Sequence, residues 1–412
     1  MIETLPRQTS NLSNGLDYYK PTMSQLAYEQ EPTAQVVYAL HNRGQQRLMD
    51  YVNLGTLQEH FDAVTEHGWT NAETQYLGSL TLSGKQPVFS ESYLNYLKNS
   101  TLPNVAVYYD REIDDLYIET IGDWPTAMFW ETIVMSEVSE NYFENYLLAH
   151  NLSPIDVYNE GDKRLSAKIE LLQAHPDIKI ADFGTRRRFS LKWHEHVLER
   201  LVSECPANLV GTSNVALAQK YGIKPIGTFA HEMPMVYAAL AESRGQDVRQ
   251  SHGKFLEDWF TKYGSDYSIA LTDTFGTDFF FQDFTPNKAA NWQGVRQDSG
   301  DPRTFGEQLI SFYEANHIDP KTKLVVFSDN LNFRKILDLN QQFGGRIKDL
   351  YGIGTNLTND LGITALNIVM KATGVETDQG TASTVKMSDD EGKHIGPPWL
   401  VNKYKNQYFK AA

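Results

Sequence analysis

Trp292-Gln293-Gly294-Val295-Arg296-Gln297-Asp298-Ser299-Gly300-Asp301-Pro302 reads as a strand that gives way to a loop, with a helical pattern following over 303–316. The loop also carries chemistry. Arg296 offers a fork of donors to a phosphate or carboxylate. Asp298 and Asp301 are hard oxygen ligands suited to Mg²⁺, and the glycines let backbone N–H groups come close to a ligand. A diphosphate ester fits such a loop. Taken alone, the run reads equally well as a turn with a solvated salt bridge.

The same texture recurs on both sides of it. From about residue 163 onward, strand candidates at 178–182, 208–210, 225–228, 267–271, 292–295, 323–327 and 350–352 alternate with helical segments such as 189–204, 213–221, 247–263, 303–316 and 331–342. This rhythm predicts a barrel of about seven parallel strands, irregular and TIM-like, in which catalytic groups belong on the loops at the C-terminal strand ends. The chemically marked runs fall there: Phe183-Gly184-Thr185-Arg186-Arg187-Arg188, Gly211-Thr212-Ser213-Asn214, Gly227-Thr228-Phe229-Ala230-His231-Glu232, Leu271-Thr272-Asp273-Thr274, Ser328-Asp329-Asn330 and Gly352-Ile353-Gly354-Thr355-Asn356. Phosphate sites in such barrels follow the last strands, so Ser328, Asp329, Gly354 and Thr355 are the expected phosphate contacts.

The first 150 or so residues lack this alternation and predict a smaller α+β domain. A strand is expected at 34–40, helices at 45–65 and 88–98, a strand pair over 105–120, and a long aromatic-rich helix over 127–149. Further strands are expected around Lys371 and Lys386.

Composition narrows the partners. A chain of 412 residues exceeds what one core usually organises. A net charge of −15 argues against a nucleic-acid or anionic-membrane partner, so an anionic substrate must be held by local basic pockets. The single Cys205 excludes an intramolecular disulfide framework and reads as a small buried hydrophobe. There is no apolar run of membrane-spanning length, and the start of the chain, with Glu3, lacks a signal-peptide core; a cytoplasmic location is expected.

Together with Asp17-Tyr18-Tyr19-Lys20-Pro21-Thr22-Met23, these motifs closely resemble the nicotinate phosphoribosyltransferase family, from about Gly15 to about Lys393. The resemblance implies an ATP-dependent pentosyltransferase, classed as a ligase, of NAD biosynthesis by salvage. It would act on nicotinate and 5-phosphoribosyl 1-diphosphate, with ATP as co-substrate and Mg²⁺. It also implies that residues 364–412 rejoin an N-terminal domain of 1–155, leaving 156–363 as the barrel. A homodimer with shared active sites is part of the same expectation.

The resemblance assigns roles as well. His231 is the residue phosphorylated by ATP, and imidazole suits that because it is nucleophilic near neutral pH and forms a labile P–N bond. Arg296 is the arginine shared by diphosphate and pyridine carboxylate, with Asp298 near the ribose hydroxyls or Mg²⁺. Asp273 supplies a carboxylate, and a second Mg²⁺ ligand, beside the developing positive charge; the competing reading makes it the N-cap of a helix at 275–282. Tyr19 and Phe183 sandwich the pyridine ring and Arg186 faces its carboxylate. Arg187 and Arg188 read as phosphate contacts or surface charge. Related nicotinamide enzymes have an aspartate where this chain has Ser213, a substitution that favours the acid over the amide, and Thr228 adds a second hydroxyl. Arg43 resembles an arginine that reaches the sugar phosphate from the neighbouring subunit, or is a solvated strand-end charge. Tyr19 is expected to come from the partner too, because a small domain at the barrel's edge should not reach its own mouth. Asp114, Asp115, His194 and His196 read as surface groups.

Three other readings remain open at this point. One is a quinolinate or nicotinamide phosphoribosyltransferase of the same barrel class. Another is a catalytically silent pyridine-nucleotide-binding protein. The weakest is a Schiff-base aldolase, since no lysine lies within the strand-end motifs.

Overall fold

The computed structural model describes residues 11–378, 380–390 and 392–409. Glu3 and the expected domain limits at residues 1 and 412 lie outside these. Six parallel strands form the large sheet: β4 (Ile180–Asp182), β5 (Leu209–Thr212), β6 (Ile269–Leu271), β7 (Gly294–Gln297), β8 (Leu324–Phe327) and β9 (Lys348–Ile353), in the order β5-β4-β9-β8-β7-β6. Helices follow the strands and cover the outside, so the chain adopts the expected α/β barrel with a smaller antiparallel unit.

The seventh expected strand, at 225–228, does not form among the described residues; Pro225 makes one isolated bridge to Thr212. Two residue types explain this. Proline has no N–H to give a ladder, and Gly227 takes φ +152° with Tyr19 so close that a Cβ would lie 3.0 Å from the Tyr19 nitrogen. The segment still bridges the gap between β5 and β6: the Ile226 N–H donates to Thr212 O at 2.8 Å and Thr228 Oγ1 to Ile269 O at 3.1 Å.

The second sheet is antiparallel, in the order β11-β10-β1-β3-β2, from β1 (Gln35–Asn42), β2 (Val105–Asp110), β3 (Asp115–Asp123), β10 (Ile368–Thr377) and β11 (Gly380–Ser383). β10 pairs with β1 from Val36↔Val375 to Asn42↔Ile368, so the end of the chain completes a sheet begun at its start. The helix Trp130–Ala149 is buried on nearly all sides, with Trp130, Ile133, Val134, Met135 and Val138 each at most 2% exposed. Its low amphipathicity is therefore what its position demands.

Four local expectations change. Asp301 is the N-cap of the helix Pro302–Ala315, accepting from Thr304 N at 2.8 Å, and is exposed; a cap with proline at the first helical position is helix grammar, not a metal ligand. The helix after β6 is Thr277–Asp283 with Gly276 at its N-cap, so Asp273 is free of that duty. Asp115 is buried, accepting from the Met49 N–H at 3.0 Å and Asn42 Nδ2 at 3.0 Å, while Asp114 stays exposed. His194 is buried, its Nε2 2.6 Å from Asp182 Oδ2.

Candidate active site

Three loops bring three residues to one point. His231 stands at the start of the helix Glu232–Ser243, buried, with Nδ1 2.9 Å from Thr274 Oγ1. Its Nε2 lies 3.0 Å from Asp298 Oδ2 and 3.6 Å from Asp273 Oδ1. Asp273 follows β6 and is fully buried; its Oδ2 accepts from Ser299 Oγ at 2.6 Å and faces Lys386 Nζ at 3.1 Å, while Oδ1 has no hydrogen-bond donor. Asp298 follows β7, and its Oδ1 accepts from Ser328 Oγ at 2.8 Å.

Burial shapes the charges. It pushes the His231 imidazole down to about 4, helped by the nearby Lys386 ammonium and opposed by Asp273 and Asp298. The ring is therefore neutral at physiological pH and nucleophilic. Burial alone would raise the Asp298 carboxyl, but the Arg296 guanidinium and His231 hold it well below the usual carboxylate range. Asp273 goes the same way, burial being outweighed by Lys386 and His231. One donor atom each from His231, Asp273 and Asp298 lies within 4.8 Å of the others. Two hard oxygens, one of them a buried acceptor without a donor, suit Mg²⁺.

Arg296 projects from β7 itself, its Nη2 3.8 Å from Asp298 Oδ2, and its buried Nε has no acceptor. Such an orphaned donor points to an anionic guest. Arg187 is driven down to about 10 by burial and by the adjacent positive charge of Arg186 and Arg43. Arg43 and Arg187 meet at Asn367: the Arg43 N–H donates to its backbone O at 2.8 Å and Arg187 Nη1 to its Oδ1 at 3.3 Å. Arg43 thus stands beside the mouth of its own chain. Asp329, raised by burial, pairs with Lys393 at 3.2 Å. Gly354 and Thr355 open the short helix Thr355–Thr358 after β9.

Arg188, read as a phosphate contact or surface charge, is neither. It is buried, donating from Nε to Glu140 at 2.6 Å and from Nη1 to Asn14 O at 2.5 Å.

The aromatic side of the site forms around Arg186. Its guanidinium lies 5.8 Å from the Tyr19 ring centroid, with Nε 3.3 Å from Asp17 Oδ2 and Nη1 3.8 Å from Glu131 Oε1. Tyr19 is buried and its hydroxyl has no partner. Phe183 leans on Gly352, where a Cβ would come within 2.4 Å of the ring, so only glycine leaves room for it. Ser213 Oγ donates to Asp17 Oδ1 at 2.7 Å, and the Thr228 hydroxyl is spent on Ile269 O. The Tyr18 N–H donates to Ser213 O at 2.6 Å. The start of the helix Tyr19–Gln30 therefore rests on the mouth of its own barrel, and the expectation that Tyr19 must come from a partner loses its spatial basis.

Sequence reading missed Lys386, Lys393, Lys20 and Glu131. Glu131 had a signal, a charge inside the apolar run Phe129-Trp130-Glu131-Thr132-Ile133-Val134-Met135. Lys386 had none: it reaches Asp273 only because the chain returns over the barrel after β11, with Met387 N donating to Thr274 O at 2.8 Å.

Comparison with known proteins gives a consistent answer. Residues 178–411 match the nicotinate phosphoribosyltransferase (NAPRTase) family and residues 16–139 the NAPRTase N-terminal domain. The chain is 37% identical over 407 residues to the nicotinate phosphoribosyltransferase of Neisseria gonorrhoeae, covering 95% of each. It is 36% identical over 361 residues to that of Bordetella petrii, covering 86% of this chain and 88% of the relative. The crystal structure of the nicotinate phosphoribosyltransferase of Porphyromonas gingivalis superposes with a TM-score of 0.85 at 30% identity, over 96% of this chain and 99% of that one.

Proposed function

The chain belongs to the nicotinate phosphoribosyltransferase family, and from that premise we propose that its barrel mouth joins nicotinate to 5-phosphoribosyl 1-diphosphate, coupled to ATP hydrolysis through a phosphohistidine at His231. The observation that carries the coupled step is the buried, neutral His231 set against Asp298 at 3.0 Å and Asp273 at 3.6 Å.

In the phosphoryl step a ring nitrogen of His231 attacks the γ-phosphorus of ATP. The N–P bond forms, the bond from phosphorus to the bridging oxygen breaks, and ADP leaves with the electron pair; water later attacks the same phosphorus, the N–P bond breaks and orthophosphate leaves, which completes ATP hydrolysis. Asp298 orients the ring. In the transfer step the pyridine nitrogen bonds to the anomeric carbon as diphosphate leaves, and Asp273 stands beside the positive charge that develops on the ribose. Arg296, with its unused Nε, meets the diphosphate. Ser328, Asp329, Gly354 and Thr355, with Arg187 and Arg43 nearby, receive the 5′-phosphate end. Tyr19 and Phe183 hold the ring and Arg186 faces its carboxylate, with Ser213 and Thr228 at the edge of that pocket. Mg²⁺ held by Asp298 and Asp273 would neutralise diphosphate charge.

The catalytic unit in this reading is 156–363, served by 1–155 and 364–412. The same reading places the chain in the cytoplasm as a homodimer, each chain carrying its own site. The test is incubation with γ-labelled ATP. An acid-labile, alkali-stable phosphoprotein is expected, lost in His231→Ala together with ATP stimulation of product formation from nicotinate. Label that persists in the variant overturns the assignment.

A further inference from the structure

Lys20 and Glu131 have no part in the chemistry above, yet both are almost fully buried, at 0% and 1% exposure. Lys20 Nζ lies 2.6 Å from Glu131 Oε2 and 2.5 Å from Glu232 Oε2. Glu232 directly follows His231 as the first residue of its helix, and its other oxygen accepts from Tyr38 Oη at 2.6 Å and Trp124 Nε1 at 2.9 Å. At the far end, Glu131 Oε1 accepts from Lys371 Nζ at 2.8 Å and faces Arg186 Nη1 at 3.8 Å. The charges form an unbroken line from the residue beside His231 to the guanidinium expected to read the pyridine carboxylate.

Stability does not account for this line. Taking several ions out of water costs about as much as their pairing returns, and apolar side chains of similar volume often serve equally well. What sets it apart is where its two ends lie. We propose that Glu232, Lys20 and Glu131 form a relay coupling occupancy of the pyridine-carboxylate site at Arg186 to the setting of His231, with Lys20 and Glu131 as positioning residues; this rests on the reading of His231 and Arg186 given above.

Competition for shared cations links the two ends. A pyridine carboxylate arriving at Arg186 competes with Asp17, at 3.3 Å, and with Glu131. Charge that Glu131 loses from Arg186 it recovers from Lys20, whose ammonium is shared with Glu232. Glu232 is held on its other oxygen by Tyr38 and Trp124, so the readjustment falls on the first turn of the helix that carries His231. By linkage the effect is reciprocal for binding: the factor by which nicotinate changes the affinity for ATP is the factor by which bound ATP changes the affinity for nicotinate.

The experiment measures nicotinate affinity by calorimetry with and without Mg²⁺ and ATP, and takes the ratio as the coupling factor. Wild type should show a factor of about fivefold or more, in the range usual for coupled sites. Glu131→Gln, and the charge-balanced double variant Lys20→Met with Glu131→Gln, should bring it to within about twofold of unity while His231 still takes label from ATP. A wild-type factor near unity, or variants that keep the wild-type factor, overturns the relay. Hydrogen exchange on wild type needs no variant: nicotinate alone should change protection in peptides covering 18–24 and 230–238, and no change there also overturns it. Loss of label in wild type would instead sink the reading of His231, so the two failures are distinguishable.

Discussion

The neutrality of His231 at acidic pH is open to direct measurement. Burial and Lys386 place its imidazole at about 4, against about 6.5 for an unperturbed ring. At pH 5 an ordinary histidine would be neutral in only about 3% of molecules, whereas a ring titrating near 4 would be neutral in about 90%, roughly a thirtyfold difference in available nucleophile. The assay is ¹⁵N chemical shift of ring-labelled histidine between pH 8 and 4, with His231→Gln to assign the signal. Lys386→Met should move the midpoint upward, because it removes a neighbouring positive charge and leaves Asp273 without its ammonium partner at 3.1 Å. The same shift predicts a stability effect. Between about pH 6.5 and 4 the unfolded chain binds a proton here that the folded chain does not, so this ring's contribution is complete above about 6.5 and falls with decreasing pH. At about 1.4 kcal/mol per pH unit the loss is roughly 3 kcal/mol, absent in His231→Gln. A wild-type midpoint near 6.5, or one that Lys386→Met leaves unmoved, would refute the argument.

Other outcomes follow from the same geometry. Ser213→Asp sets a second carboxylate against Asp17, now 2.7 Å from the serine hydroxyl, and should lower kcat/KM for nicotinate by about a hundredfold or more; a value within about twofold of wild type would remove Ser213 from the substituent pocket. Asp298→Asn should slow phosphorylation of His231 and weaken its dependence on Mg²⁺, measured by rapid quench; an unchanged rate at every Mg²⁺ concentration would strip Asp298 of both roles. Because Tyr19 rests on its own barrel mouth, mixing inactive Tyr19→Ala with inactive His231→Ala subunits should restore nothing, and recovery of activity would show that the site is built across two chains.

The strand-and-helix alternation, the barrel and the chemically marked loops were readable from the chain alone, because strand periodicity, helix starts and glycine turns are written within a dozen residues of one another. Asp273, Asp298 and Arg296 were legible for that reason, each in or just after a short apolar strand, and His231 was legible from the run Gly227-Thr228-Phe229-Ala230-His231-Glu232 although no strand directly precedes it among the described residues. The same local grammar misled where one residue serves two readings. Asp301 looked like a ligand and is a cap; residues 225–228 looked like a strand, and Pro225 and Gly227 keep them out of the ladder. His194 read as a surface group and Arg188 as a phosphate contact or surface charge, and only the packing of their helix and loop shows them buried. The remainder was decided by tertiary structure alone. Lys20 meets Glu232 across 212 residues, and Lys371 meets Glu131 across 240. Lys386 reaches Asp273 from a segment with no motif of its own. An ion pair in the interior is fixed by where two distant elements are packed, and packing at that range leaves no periodic trace in either stretch of chain.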